Sequence, residues 1–159
     1  MNFIAFDRNS FGPSLKEDKL LKSLIQVDHD DFPQPWRVED WHQLTFEHYG
    51  LYGSFESGDQ EKSLQGFALF RELPGDETVH LLKVVTRSSA RQQGLARKLL
   101  EFAFASQHER SFRSLYLEVE HDNQAALRFY ESLGFKRYRE LRHFYGPGRH
   151  GISMGGGIA

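Results

Sequence analysis

Leu115-Tyr116-Leu117-Glu118-Val119, then Asn123, then Ala125-Ala126-Leu127-Arg128-Phe129-Tyr130-Glu131-Ser132-Leu133-Gly134-Phe135, is a stretch whose hydrophobic period changes partway along. The first five residues alternate, which predicts a strand over Leu115 to Val119 with Glu118 on the opposite face from Leu117 and Val119. Beyond Asn123 the apolar side chains Ala126, Leu127, Tyr130 and Leu133 recur at helical spacing, so Gln124 to Leu133 reads as an amphipathic helix. Asn123 is a common helix N-cap and Gly134 is the expected C′ residue.

Upstream, Arg91-Gln92-Gln93-Gly94-Leu95-Ala96-Arg97 opens a second helix. Leu95, Leu99, Leu100, Ala103 and Phe104 fall on one face and carry it to about His108. Three β-like runs precede it, Gly50 to Glu56, Leu64 to Leu73 and Thr78 to Thr86. Turn residues Ser57-Gly58-Asp59 and Pro74-Gly75-Asp76 separate them, which suggests an antiparallel meander. Earlier still, Phe3 to Phe6 is a short strand and Leu15 to Val27 a helix ending near Asp28-His29-Asp30-Asp31. Phe32-Pro33-Gln34-Pro35-Trp36 is a non-helical aromatic loop and Val38 to Tyr49 a second helix. Phe135 to Leu141 and Ile152 to Met154 are the last strands, and the tail Met154-Gly155-Gly156-Gly157 is expected to fray. The order predicts an α/β (α+β) fold: a mixed, mostly antiparallel sheet of about six or seven strands with helices on both faces.

A chain of 159 residues suits one domain spanning 1–159, of a size that buries roughly two-thirds of its unfolded surface. Twenty Lys and Arg against 22 Asp and Glu give a net charge of −2, so no overall basic field draws the chain to nucleic acid or anionic lipid, and both are disfavoured as partners. The chain has no cysteine, which excludes disulfides, thiolate zinc sites and a cysteine nucleophile. No leader-like or membrane-spanning run is visible, and the expectation is a soluble, cytoplasmic protein. The eight histidines show no metal-ligand spacing; no metal is expected, and Asp28-His29-Asp30-Asp31 reads as a helix end.

The turn at Arg91 to Arg97 has the makings of an anion site. The first amides of a helix have no internal partner, Gly94 and Ala96 allow close approach, and Arg91 and Arg97 add charge. Taken alone, the same residues also describe a plain loop entering a core helix. Glu118 is either a solvated carboxylate or a proton acceptor, and Tyr130 either a core tyrosine or a proton donor. Asn123, read by itself, caps its helix.

Taken together, these blocks resemble the GNAT acetyltransferases, whose acetyl-CoA loop has the form Arg/Gln-x-x-Gly-x-Gly/Ala and is followed by a strand and an Asn-x-x-Ala helix ending in Gly-Phe. Within that superfamily the chain is most similar to the RimI-type enzymes, which acetylate the N-terminal amine of a ribosomal protein. Phe32-Pro33-Gln34-Pro35-Trp36 is similar to their Phe-Pro-Trp loop and Leu117-Glu118-Val119 to their Leu-Glu-Val strand. The resemblance runs from about Phe32 to Met154.

It implies an N-acetyltransferase whose cosubstrate is acetyl-CoA and whose acceptor is an amine, either a protein N-terminus or a small molecule. By resemblance, Val84, Val85 and Thr86 offer main-chain groups to the pantetheine arm, one of them polarising the thioester carbonyl. Arg91, Gln92, Gln93, Gly94, Leu95, Ala96 and Arg97 hold the pyrophosphate, and Asn123 and Tyr130 also contact the cofactor. Glu118 is then the general base, with Glu120 and His121 as neighbours able to substitute, and Tyr130 the general acid that protonates the departing thiolate. Tyr145 carries over from the segment before the last strand as an acceptor-side residue, and Trp36, like Trp41, either staples the core or lines the acceptor entrance. The chain departs from the pattern at Glu120, where Arg is common, at His143, where Asn is common, and at Arg149-His150-Gly151, where an acidic stretch is usual. The changes at Glu120 and at Arg149-His150-Gly151 touch the acceptor side. A non-catalytic acyl-CoA-binding module would need the anion loop but neither Glu118 nor Tyr130.

Overall fold

The computed structural model describes residues 1–56, 63–91 and 93–158. Seven strands form one sheet in the order β1-β2-β3-β4-β5-β7-β6: β1 (Asn2–Phe6), β2 (Tyr49–Phe55), β3 (Leu64–Leu73), β4 (Thr78–Thr86), β5 (Ser114–Glu120), β6 (Lys136–Gly146) and β7 (Arg149–Gly157). Every neighbouring pair is antiparallel except β4 and β5. Helices α1 (Lys19–Asp31), α2 (Val38–His42), α3 (Leu95–Glu109) and α4 (Gln124–Ser132) complete the fold.

Two apolar clusters divide the molecule between the two faces of the sheet. Leu99, Leu100 and Ala103 of α3 and Leu127 of α4 pack on Val79, Leu81, Leu115, Leu117 and Val119. Leu21, Leu24 and Val27 of α1, with Trp41 of α2, pack on Phe67, Leu69 and Val85. A bulge decides which residues of β4 face which cluster. Leu69 pairs with Lys83 and Phe70 with Leu81, leaving Leu82 unmatched, so Leu82 and Lys83 turn to the α1 side while Leu81 and Val84 pack on the α3 side.

Some expected boundaries move. The first helix begins at Lys19 rather than Leu15, because the Asp18 carboxylate accepts from Leu21 N (2.9 Å) and Gly12 N (2.6 Å) and fixes the start. It also continues past Val27 to Asp31. Asp28-His29-Asp30-Asp31 is therefore the helix end, as expected, and within it Asp28 lies on the buried face with Leu21, Leu24 and Val27. The second helix stops at His42 rather than Tyr49. Trp41 and Leu44 are both buried at helix-like spacing, but Tyr49 and Gly50 are taken into the ladder opposite Arg71 and Phe70. The Ser57-Gly58-Asp59 turn lies outside the described residues.

The glycine tail is not frayed: Gly155, Gly156 and Gly157 pair with Tyr116, Leu115 and Ser114 in β7. A Cβ on Gly155 would stand 2.7 Å from the Leu115 carbonyl oxygen and 2.8 Å from the Tyr138 ring, so glycine is required for the strands to approach. Gly155→Val is expected to lower stability by about 1–3 kcal/mol. Gly75→Ala, whose Cβ meets nothing within 4 Å, should be near neutral in the same thermal denaturation.

Candidate active site

The parallel pairing of β4 with β5 covers only Thr78–His80 against Ser114–Tyr116. Beyond that point the strands diverge, although β4 continues to Thr86 and β5 to Glu120. The fork leaves the β5-facing edge of β4 unpaired from Leu81 onward. A cavity of about 540 Å³ fills it, with Leu81 to Thr86 on one wall, Leu117 to Glu120 on the other, and Phe32, Pro33, Gln34, Arg91, Ala96, Asn123, Phe129, Tyr130 and Tyr145 around them. Val84, Val85, Thr86, Arg91, Ala96, Glu118, Asn123, Tyr130 and Tyr145 are thereby brought to one space.

A second cavity, of about 290 Å³, shares Thr86, Arg91, Ala96 and Phe129 with the first and adds Gly94, Leu95 and Arg97. It lies at the start of α3. Gly94 takes φ 69°, with nothing within 4 Å of its Cβ position, and no side chain caps the helix. The first intrahelical bond there is Lys98 N to Gly94 O, so the amides of Leu95, Ala96 and Arg97 are left for an anion.

Both arginines are also tied to the protein. Arg91 donates to Asp31 O (3.2 Å) and reaches Asp31 Oδ1 (3.5 Å). Arg97 donates to Ser132 Oγ (2.5 Å), joining α3 to α4. Gln93 is exposed and lines neither cavity, and Gln92 lies outside the described residues. Asn123 Oδ1 accepts from Ala126 N at 3.1 Å, so it caps α4 while lining the larger cavity.

Glu118 projects from β5 on the α1 side, and its Oε2 lies 2.6 Å from His80 Nε2, with the two side chains 17% and 15% exposed. Tyr130 reaches the cavity from the α4 side. Burial raises its phenol pKa well above the ordinary value, and the nearby Tyr145 adds to the shift. Tyr145 itself is pushed up to about 12, chiefly by burial and then by Glu118 and Glu120. Both phenols therefore remain protonated at neutral pH.

Trp36 does not line the cavity. It packs at a tilt against Trp41 (5.1 Å) and edge-on to Tyr49 (5.9 Å), while Phe32, Pro33 and Gln34 present the loop to the cavity. Glu120 accepts from Gln34 Nε2 at 3.2 Å and makes a short contact with Arg149 Nη2, joining the α1–α2 loop to the β6–β7 hairpin.

Two features have no local signature in the sequence. One is His80, which meets Glu118 only because β4 and β5 run parallel in this register. The other is the pair Lys83–Asp28, exposed 2% and 1%, at 2.8 and 3.0 Å. Asp28 also accepts from Trp36 N (2.9 Å) and Trp41 Nε1 (3.0 Å), and Lys83 from its side donates to Gln34 O (3.1 Å). Burial lowers the pKa of Lys83, and Asp28 opposes that shift.

The forked strands, the uncapped α3 turn and the carboxylate and phenol in one cavity define a class, and the chain belongs to the acetyltransferase (GNAT) family, which it matches over residues 21–135. It is 28% identical over 127 residues to N-alpha-acetyltransferase 30 of Schizosaccharomyces pombe, covering 79% of this chain and 83% of that one. Over 136 residues it is 26% identical to the ribosomal protein bS18 alanine N-acetyltransferase of Escherichia coli K12, covering 79% and 88%. An aminoglycoside 6′-N-acetyltransferase solved with coenzyme A shares the fold, with a TM-score of 0.81 at 18% identity and coverage of 100% and 98%.

Proposed function

We propose that the chain moves the acetyl group of acetyl-CoA to a primary amine, and that the acceptor is the α-amine of a polypeptide N-terminus. The observation that carries this reading is the fork between β4 and β5, with Glu118 on one side of it and Tyr130 on the other. Acetyl-CoA supplies the activated acetyl thioester. Its extended arm fits the unpaired edge of β4 at Val84 to Thr86, and its pyrophosphate fits the amides of Leu95, Ala96 and Arg97.

An amine attacks only as the neutral base. Glu118 takes a proton from it as the new C–N bond forms, and Tyr130 gives its phenolic proton to the departing sulfur as the C–S bond breaks. The raised pKa of Tyr130 keeps that proton in place, so kcat should show no descending alkaline limb up to about pH 10. Tyr130→Phe should lower kcat by about 100-fold or more with nearly unchanged acetyl-CoA affinity. A loss of affinity without a loss of turnover would make Tyr130 a structural contact.

The N-terminal acceptor rests on the two sequence relatives, both N-terminal or protein-alanine acetyltransferases by name. A small polycationic amine is the second reading, favoured by the paired carboxylates Glu118 and Glu120 on the acceptor wall. Thiol release measured with N-terminal peptides beside polyamines and an aminoglycoside separates the two. Turnover with the peptides is expected, and turnover confined to the small amines would overturn the acceptor. No thiol release with any amine would leave a binding module. A cytoplasmic setting and a single domain over 1–159 belong to the same proposal.

A further inference from the structure

His80 is one residue beyond the cavity wall and touches the proposed base. Its Nε2 lies 2.6 Å from Glu118 Oε2, and its ring stacks on Tyr116 at 4.1 Å with an interplanar angle of 12°, which fixes the ring plane. Its other nitrogen, Nδ1, is buried and has no hydrogen-bond partner among the described residues. A doubly protonated ring would bury a cationic N–H with no acceptor, which costs more than a bare lone pair. The neutral tautomer with the proton on Nε2 satisfies the contact instead. In that tautomer His80 donates to Oε2, and Oε1 has no protein partner among the described residues.

We infer that His80 is the positioning residue of the reaction: its Nε2–H holds Glu118 by Oε2 and turns Oε1 toward the acceptor amine. The inference rests on Glu118 being the base. A base held by a third group is a recurrent device, because a carboxylate free to rotate spends much of its time misaligned with the proton it must take. Here β4 and β5 supply that alignment at the last paired position before the fork, His80 opposite Tyr116. The holding group therefore sits at the last paired position and the base where the strands separate.

Two substitutions separate the hydrogen bond from the packing. His80→Phe keeps an aromatic ring over Tyr116 and loses the donor; His80→Gln loses the ring and keeps an N–H at similar reach. His80→Phe is expected to lower kcat by about 10- to 100-fold with little change in the KM for acetyl-CoA, and His80→Gln to recover most of that loss. In a Glu118→Gln background His80→Phe should have little further effect on kcat. Thermal denaturation and acetyl-CoA binding show that each variant is folded. Nitrogen-15 NMR of the histidine rings should find His80 protonated at Nε2 alone.

If His80→Phe is as active as His80→Gln or more so, or if both ring nitrogens carry protons, the positioning role is wrong. If Glu118→Gln itself retains full kcat, the base assignment fails instead, while the tautomer result still reports on the contact.

Discussion

Glu118→Gln is expected to lower kcat by about 10²- to 10⁴-fold, the range typical of a lost general base. The substitution is chosen because it changes so little else. The amide keeps an oxygen that can accept from His80 Nε2, it occupies the same volume, and the strand around it is held by β7 through Glu118 opposite Ser153. Acetyl-CoA affinity should therefore stay within about two-fold, since the groups expected to hold that molecule lie on β4 and α3. Steady-state kinetics with saturating acceptor and a separate binding titration read the two quantities independently. Retained turnover across the pH range would remove Glu118 from the mechanism, with Glu120 and His121 as the neighbours to test next.

Lys83→Met is expected to cost about 3–5 kcal/mol of stability, because it strands the Asp28 carboxylate in a site only 1% exposed. For a domain of this size that corresponds to a fall in Tm of about 6–20 °C. Asp28 keeps its bonds from Trp36 N and Trp41 Nε1, but neither neutralises the charge. Removing both partners, as Lys83→Met with Asp28→Leu, should lose less than Lys83→Met alone, since no buried charge then remains uncompensated. The pair also holds the loop between α1 and α2 through Lys83 Nζ to Gln34 O and packing under Phe32 at 4.4 Å. If the amine binds against that loop, as proposed, a Lys83→Met protein that remains folded should show a larger rise in KM for the amine than for acetyl-CoA, each relative to the unsubstituted protein. Thermal denaturation measures the first effect, and a loss below about 1 kcal/mol would show that the pair is not a principal tie between α1 and the sheet.

The fold was legible wherever a local period reported burial. The alternation through β5, the helical face of α3 and the Asn123 and Gly134 caps are local properties of the chain, and the structure places them within a residue or two of expectation. The failures share a cause, which is that long-range pairing overrode a local signal. Tyr49 carried the helical pattern onward but belongs to β2, because a strand partner exists at Arg71. Gly155 to Gly157 looked like a free tail, yet small residues are what let β7 close against β5.

The candidate site follows the same division. Glu118, Tyr130 and the Gly94 turn are visible in sequence because each has a motif around it. His80 and the Lys83–Asp28 pair are not, because they arise from a parallel register and a β-bulge that bring residues 38 and 55 positions apart into contact. Trp36, which the sequence leaves open between a core staple and the acceptor entrance, packs against Trp41 and Tyr49, while Phe32 and Gln34 line the cavity.

The most direct test of the account is the position of the acetyl group after turnover. A peptide carrying both a free α-amine and a lysine side chain is incubated with the protein and acetyl-CoA, and fragmentation mass spectrometry locates the added acetyl. The account predicts acetylation at the α-nitrogen, matched mole for mole by thiol release and abolished to within about one part in a hundred by Glu118→Gln. Acetylation of the lysine alone, or thiol release with no acetylated peptide, would contradict it.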